Sequence, residues 1–248
     1  MTESVGISIA DYVAVVELRR PPHNFFDEAL LTELADVVTG FDDSDDVRAI
    51  VLCSEGRNFC AGADLRGMGP GGIRRVYRQA ARLFAGRKPI VAAVHGRAVG
   101  GGLGLAMAAD FRVAAPDALL TANFAQLGFH QGFALSVTLP AAVGQQRALD
   151  LLYTGRAVRG TEAVELGLCD QVSDDPRAQA ISYAAEIATS APLAVPAIRA
   201  TMRRSLVSDA VAALDLEAAA QAALLDTKDF QEGIAASIEK RAPVFIGS

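Results

Sequence analysis

The chain has 248 residues, 51% of them hydrophobic, and its 23 Lys and Arg against 29 Asp and Glu give a formal net charge of −6. That length buries one substantial core, and the acidic balance argues against a nucleic-acid surface, which needs a basic patch. Cys53, Cys60, Cys169 and three histidines are too few and too scattered for a disulfide framework or a four-ligand zinc site, so no metal is expected and the compartment reads as reducing and cytoplasmic.

The opening MTESVGISIADYVAVVELRR carries acidic residues early and lacks a basic start before an unbroken apolar run, so it does not read as a signal peptide. No window reaches membrane-spanning length without charge or glycine interruptions, and no membrane partner is expected. Within residues 5–18, β-branched residues alternate with small or polar ones on either side of Ala10-Asp11, which predicts two short strands around a turn. A helix should start at Asp27 as N-cap, with Leu30, Leu34, Val37, Val38 and Phe41 at helical spacing. The acidic DDSDD after it reads as a solvated loop.

VRAIVLCS (47–54) and PIVAAVHG (89–96) are short apolar runs suited to strands buried on both faces. Between them lie a glycine-rich loop and a predicted helix, IRRVYRQAARLFAG. The strand–loop–helix–strand pattern returns with FRVAAPDALLTA after a helix opening at Gly100, which implies parallel crossovers. Beyond about residue 135 the chain reads as mostly helical, in the segments RALDLLYTG, TEAVELG, RAQAISYAAEIATS, PLAVPAIRATMRRSL, SDAVAALDLEAAAQAALLD and DFQEGIAASIEKR. Pro192 marks a linker between core and helical tail. The tail is rich in alanine and aliphatic residues, and a helix not enclosed by its own domain packs on a neighbouring subunit.

Two glycine loops raise a chemical question. Gly100, Gly101 and Gly102 open an apolar helix, where backbone N–H groups point outward without partners and a ligand can approach closely. Anionic character would be stabilised there. Tight helix–strand packing explains such glycines equally well. A dinucleotide site would want spaced glycines after the first strand and an acidic residue about 20 positions on, whereas these are contiguous and follow other core strands. The second loop, GRNFCAGADL (56–65), also follows a buried strand and also offers small residues with free N–H groups.

With FCAGADL and KPIVAAVHGRAVGGGLGLAMAADFRVAA at this separation, the chain resembles the crotonase superfamily, the enoyl-CoA hydratase and isomerase group, over essentially all its 248 residues. The resemblance implies an α/β fold, a crotonase-like spiral of ββα units over 1–190 with a helical C-terminal region, 191–248, for trimer contacts. It implies a homotrimer or hexamer and an acyl-CoA thioester as partner, with no separate cofactor because CoA is part of the substrate. By motif position the thioester oxygen falls on the backbone N–H groups of Ala63 and Gly101, which would stabilise oxyanion or enolate charge. Ala61, Asp64, Leu65 and Gly100 then surround the substrate, with Phe124 and Gly132 on its acyl side. His23, in RPPHNFF, begins the CoA-facing loop, and Lys240 or Arg20 would meet CoA phosphates.

The resemblance also carries an absence. A hydratase of this family uses two glutamates to position and deprotonate water, and those positions are Gly104 and Phe124 here. In LGFHQGFALS (127–136), His130 is the titratable candidate for proton transfer, since histidine ordinarily titrates near neutrality. A surface or packing role for it is the alternative. Asp64 is expected to cap the next helix or bind backbone N–H groups, His95 to secure a turn, and Glu162 and Glu165 to face solvent. Three readings follow: an enoyl-CoA hydratase or isomerase type, a C–C cleaving or decarboxylating acyl-CoA enzyme, and a catalytically silent acyl-CoA-binding protein.

Overall fold

The computed structural model describes residues 4–64 and 69–248; Leu65 of the second glycine loop lies outside them. The N-terminal segment forms the expected hairpin, β1 (Val5–Ala10) and β2 (Val13–Leu18), paired antiparallel with Val5 opposite Leu18. Its two-residue turn puts Asp11 and Tyr12 at φ 49° and 64°, the doubly positive conformation that matches strand twist. Helix α1 (Glu28–Gly40) starts where the sequence places it, since the Asp27 carboxylate accepts from Leu30 N at 2.8 Å. It buries Leu30, Leu31, Leu34, Ala35 and Val38. Strands β3 (Ala49–Ser54) and β4 (Ile90–Val94) are buried at every position, as continuous apolar runs in a covered parallel sheet must be.

Helix α2 (Pro70–Ala85) links β3 to β4. The chain then turns at once into β5 (Arg97–Val99), runs through α3 (Gly101–Ala108) and returns as β6 (Phe111–Ala114), followed by β7 (Leu119–Thr121). Later elements are α4 (Leu135–Val143), α5 (Gln145–Thr154), β8 (Ala157–Arg159), α6 (Gly160–Leu166), β9 (Gln171–Val172), α7 (Pro176–Ala188), α8 (Ala194–Met202), α9 (Arg204–Leu224) and α10 (Lys228–Glu239). Two sheets result, one ordered β1-β2-β3-β4-β6-β9 and one ordered β5-β7-β8. From β2 to β9 every pairing in the larger sheet is parallel. Each chain turn lays one strand in the larger sheet and a short extended segment in a second stack, where Phe26 bridges Ala63 and Cys60 bridges Ala98. This is the expected spiral, and it stacks successive loops at the carboxyl ends of the strands.

The 190/191 boundary falls in an exposed stretch between α7 and α8. Beyond it the tail folds back, because Ala210, Leu214 and Ala218 of α9 and Phe230 of α10 join the main hydrophobic cluster. The sequence reading breaks the tail helices near residue 207; the break lies instead at Arg203, φ −96° and ψ 2°. Its guanidinium reaches back to Asp110 Oδ1 at 2.6 Å and Ala108 O at 3.0 Å, anchoring the chain at that point. Leu193, Ile198, Met202, Leu216 and Ile238 of the tail stay largely exposed. No helix among the described residues is long and apolar enough to cross a membrane.

Candidate active site

The two glycine loops meet. Cys60 N donates to Arg97 O at 3.1 Å and Val99 N to Cys60 O at 3.0 Å, while Phe26 N donates to Gly62 O at 3.0 Å and Asp64 N to Phe26 O at 2.8 Å. These bonds hold the loop after β3 between residues 23–26 and β5. Gly100, at φ 54° and ψ −117°, donates to Thr121 O and turns the chain into α3 in a conformation open to glycine. A Cβ on Gly101 would lie 2.6 Å from Phe26 Cζ and 3.8 Å from Ala63 N, and one on Gly62 would lie 2.9 Å from Val99 O and 3.8 Å from Gly101 N. The glycines therefore permit a backbone approach that brings the Ala63 and Gly101 N–H groups together.

Both residues are half-buried. Gly101 is the first residue of α3, so its N–H has no intrahelical acceptor. Neither it nor Ala63 N has an acceptor among the described residues. Two such N–H groups beside the positive end of a helix are suited to form a two-donor cradle for a developing anion.

Asn24, which the sequence reading passes over, ties this region together. Fully buried at φ 51°, its side chain accepts from Arg20 N and donates to Glu55 O and Asn58 O, both at 2.7 Å. The tolerance of Asn for left-handed backbone was the available signal. Cys60 donates its thiol to Asn24 O at 3.1 Å. Burial pushes that thiol up to about 12, which keeps it protonated and unsuited to nucleophilic work.

Other sequence candidates divide. His23 is exposed, with Nδ1 2.7 Å from Asn58 Nδ2, and its carbonyl accepts from Ala61 N. Arg20 pairs with Asp27 at 2.8 Å, while Lys240 caps the end of α10, exposed to solvent. Asp64 is not the N-cap of α2, which is Gly69. His95 Nε2 lies 3.1 Å from Gly56 O, so it joins two loops as expected. Glu162 pairs with Arg156 at 2.8 Å, and Glu165 is exposed.

Behind the cradle the packing is aromatic. A Cβ on Gly100 would lie 3.6 Å from Phe124 Cζ, so the Phe124 ring borders the platform. A side chain at Gly104 would overlap Phe133 Cβ and come within 2.9 Å of Phe133 Cγ. Phe133 in turn makes edge-on ring contacts with Phe26 and Tyr77. Gly132 has no room for a side chain against Tyr77 and Gln221.

Glu217 of α9, 1% exposed, accepts from Ala134 N at 2.7 Å and Ser136 N at 3.0 Å. It thereby holds a turn in which Phe133 and Ala134 both adopt φ 59°. Burial pushes its carboxyl above the ordinary carboxylate value. Gln221 bridges Tyr77 Oη, accepting at 2.8 Å, and His130 O, donating at 2.9 Å. His130 is half-buried with Nδ1 2.7 Å from Gln131 O, a contact in which the carbonyl accepts from Nδ1–H and which orients the ring. No hydrogen bond among the described residues joins His130 to Ala63 or Gly101.

A family model described as "Enoyl-CoA hydratase/isomerase" matches residues 8–248. A Bacillus subtilis (strain 168) protein named "Probable enoyl-CoA hydratase" is 34% identical, over 98% of this chain and 99% of its own length. A "Crotonyl-CoA hydratase" from Syntrophomonas wolfei is 32% identical, over 98% of both chains. Among solved structures, an enoyl-CoA hydratase/isomerase from Pseudoalteromonas atlantica T6c is similar with a TM-score of 0.90 at 32% identity, covering 98% of this chain and 100% of that one.

Proposed function

Because the chain belongs to the enoyl-CoA hydratase/isomerase family, we propose that it binds an acyl-CoA thioester with the carbonyl oxygen between Ala63 N and Gly101 N and stabilises the enolate that forms there. The carrying observation is that the two backbones approach closely, a Cβ on Gly101 falling 3.8 Å from Ala63 N, and that neither N–H has an acceptor among the described residues. As the α-carbon gains an electron pair, negative charge moves to the thioester oxygen. Donors already in place meet it without reorganisation, and one such donor is typically worth about 3 kcal/mol. His130 Nε2 is the proposed proton carrier on the acyl side, supported by the orientation that Gln131 O imposes on its ring. The exposed apolar residues Ile198, Met202, Leu216 and Ile238 of the tail support association of copies as a homotrimer or hexamer.

A second reading rests on the packing at Gly104 and Phe124. A hydratase of this type needs carboxylates at those positions, and here one is closed by Phe133 and the other is an aromatic ring. Decarboxylation fits such a site, because the breaking bond to the carboxylate delivers its electron pair into the thioester carbonyl without a base; cleavage of an acyl group would in addition consume a water molecule, which leaves with that group as a carboxylic acid. The leaving carboxylate departs as carbon dioxide, and the enolate is then protonated at the α-carbon.

Incubation with enoyl-, β-keto- and malonyl-type CoA esters, with mass analysis of products, separates these readings. Thioesters should bind and the free acids should not. Crotonyl-CoA hydration should fall below the common enzymatic range, on the order of 10 per second. His130→Ala should lower turnover by about 10²- to 10⁴-fold with acyl-CoA binding little changed. No binding of any thioester overturns the proposal; binding of all without turnover leaves a silent acyl-CoA-binding protein.

A further inference from the structure

A cavity of about 880 Å³ lies away from the cradle. Its walls include Val47 and Arg48 before β3 and Gly86 to Lys88 before β4, with α8 and the start of α9 opposite. It thus lies at the amino ends of the parallel strands, whereas the Ala63 and Gly101 loops follow their carboxyl ends.

The charge in this cavity is unbalanced. Arg199 and Arg203, which both line it, share the carboxylate of Asp110: Arg199 Nε donates at 2.9 Å and Arg203 Nη1 at 2.6 Å. The side chains of Arg199 and Asp110 are only 8% and 11% exposed. Two guanidiniums on one buried carboxylate leave a positive charge without compensation, which is costly out of water. Burial and the neighbouring guanidiniums of Arg199 and Arg112 hold Arg203 below the ordinary arginine value. Arg199 Nη2, Arg203 Nε and Arg48 Nε are buried donors with no acceptor among the described residues. Arg204 and Lys88 add cationic walls; of the acidic residues in the lining, Asp43 pairs with Arg87 at 3.0 Å, Asp42 accepts from Arg87 N at 2.7 Å, and Asp45 is exposed to solvent. Leu193, Pro196 and Val207 give the cavity an apolar flank.

We propose that this cavity is a second binding site, separate from the thioester cradle, for a small organic anion whose phosphate or carboxylate oxygens accept from Arg199 Nη2 while its apolar body rests against Leu193, Pro196 and Val207. The guanidinium fork suits a planar or tetrahedral oxyanion. An apolar flank beside a few convergent donors is the make-up of a small-molecule pocket.

The test is isothermal titration of the full chain with inorganic phosphate, phenyl phosphate and benzoate. Phenyl phosphate or benzoate should bind with a dissociation constant of about 1 mM or tighter, more tightly than inorganic phosphate, and the tighter of the two identifies the head group. Arg199→Lys keeps the charge but loses the fork, and should weaken binding about tenfold or more. Arg204→Glu and Arg87→Glu change exposed residues. They should weaken it comparably while leaving acyl-CoA binding unchanged, so the site stays testable if Arg199→Lys does not fold. Absence of heat with all three probes, or equal affinity in wild type and the exposed variants, overturns the proposal.

Discussion

Gly104→Ala tests the closure of α3 against Phe133. The new Cβ would overlap Phe133 Cβ and sit 2.9 Å from Cγ and 3.1 Å from the Phe133 carbonyl oxygen. Phe133 Cβ and its carbonyl are fixed by the backbone, so no rotamer change relieves them. The αL turn that presents them is held by the two Glu217 hydrogen bonds. Overpacking a buried site costs about 1–3 kcal/mol, offset by the roughly 1 kcal/mol that alanine gains over glycine in a helix. Phe133→Gly alone should cost about 3–5 kcal/mol for the lost ring, less about 1 kcal/mol because glycine accepts φ 59° freely. In the Phe133→Gly background the obstructing Cβ and ring are gone and only the 3.1 Å contact with the carbonyl oxygen remains, so Gly104→Ala should become near neutral. A double-mutant cycle by urea denaturation should therefore give a favourable coupling of about 1–3 kcal/mol. Additive effects within about 0.5 kcal/mol would refute the claim that Phe133 occupies the space a side chain at 104 needs.

Gly101→Ala places a methyl 2.6 Å from Phe26 Cζ beside the Ala63 donor; displacing one donor should lower turnover on whichever thioester proves to be the substrate by about 10²- to 10³-fold, and a steady-state rate within threefold of wild type, a margin of about 0.7 kcal/mol, would contradict the cradle. Asp110→Asn strips the charge from a carboxylate bound by Arg199, Arg203 and Ile90 N, and should destabilise by about 3–5 kcal/mol in urea melts, the range for breaking a buried pair. Glu217 has a carboxyl raised by burial, so the folded state holds its proton more tightly than the unfolded chain does. Stability from this group is therefore gained as pH falls from the raised folded value toward the ordinary 4.5, and lost as pH rises back through that window. Urea midpoints across that range should show a slope that Glu217→Gln flattens; an unchanged slope would assign the pH dependence to other groups.

The sequence by itself determined the periodic elements. The hairpin, α1 with its Asp27 cap, the buried strands β3 and β4 and the crossover helices were legible because each is written in local spacing and capping chemistry. The two glycine loops were legible too, since glycine marks where backbone must come close. Short strands were not: β5, β8 and β9 span 3, 3 and 2 residues, too few for a period to show, and they exist because the spiral supplies a neighbour to pair with. Asn24 was not legible because two of its three partners, Glu55 O and Asn58 O, lie 31 and 34 residues away and only folding brings them to it. Tertiary structure alone decided that the backbones at Ala63 and Gly101 come close, that Phe133 rather than solvent fills the space beside Gly104, and that Arg199 and Arg203, 89 and 93 residues from Asp110, converge on one carboxylate. A sequence states which side chain a residue carries. Which volume its neighbours leave it, and how many charges share one counter-ion, are properties of the packed chain.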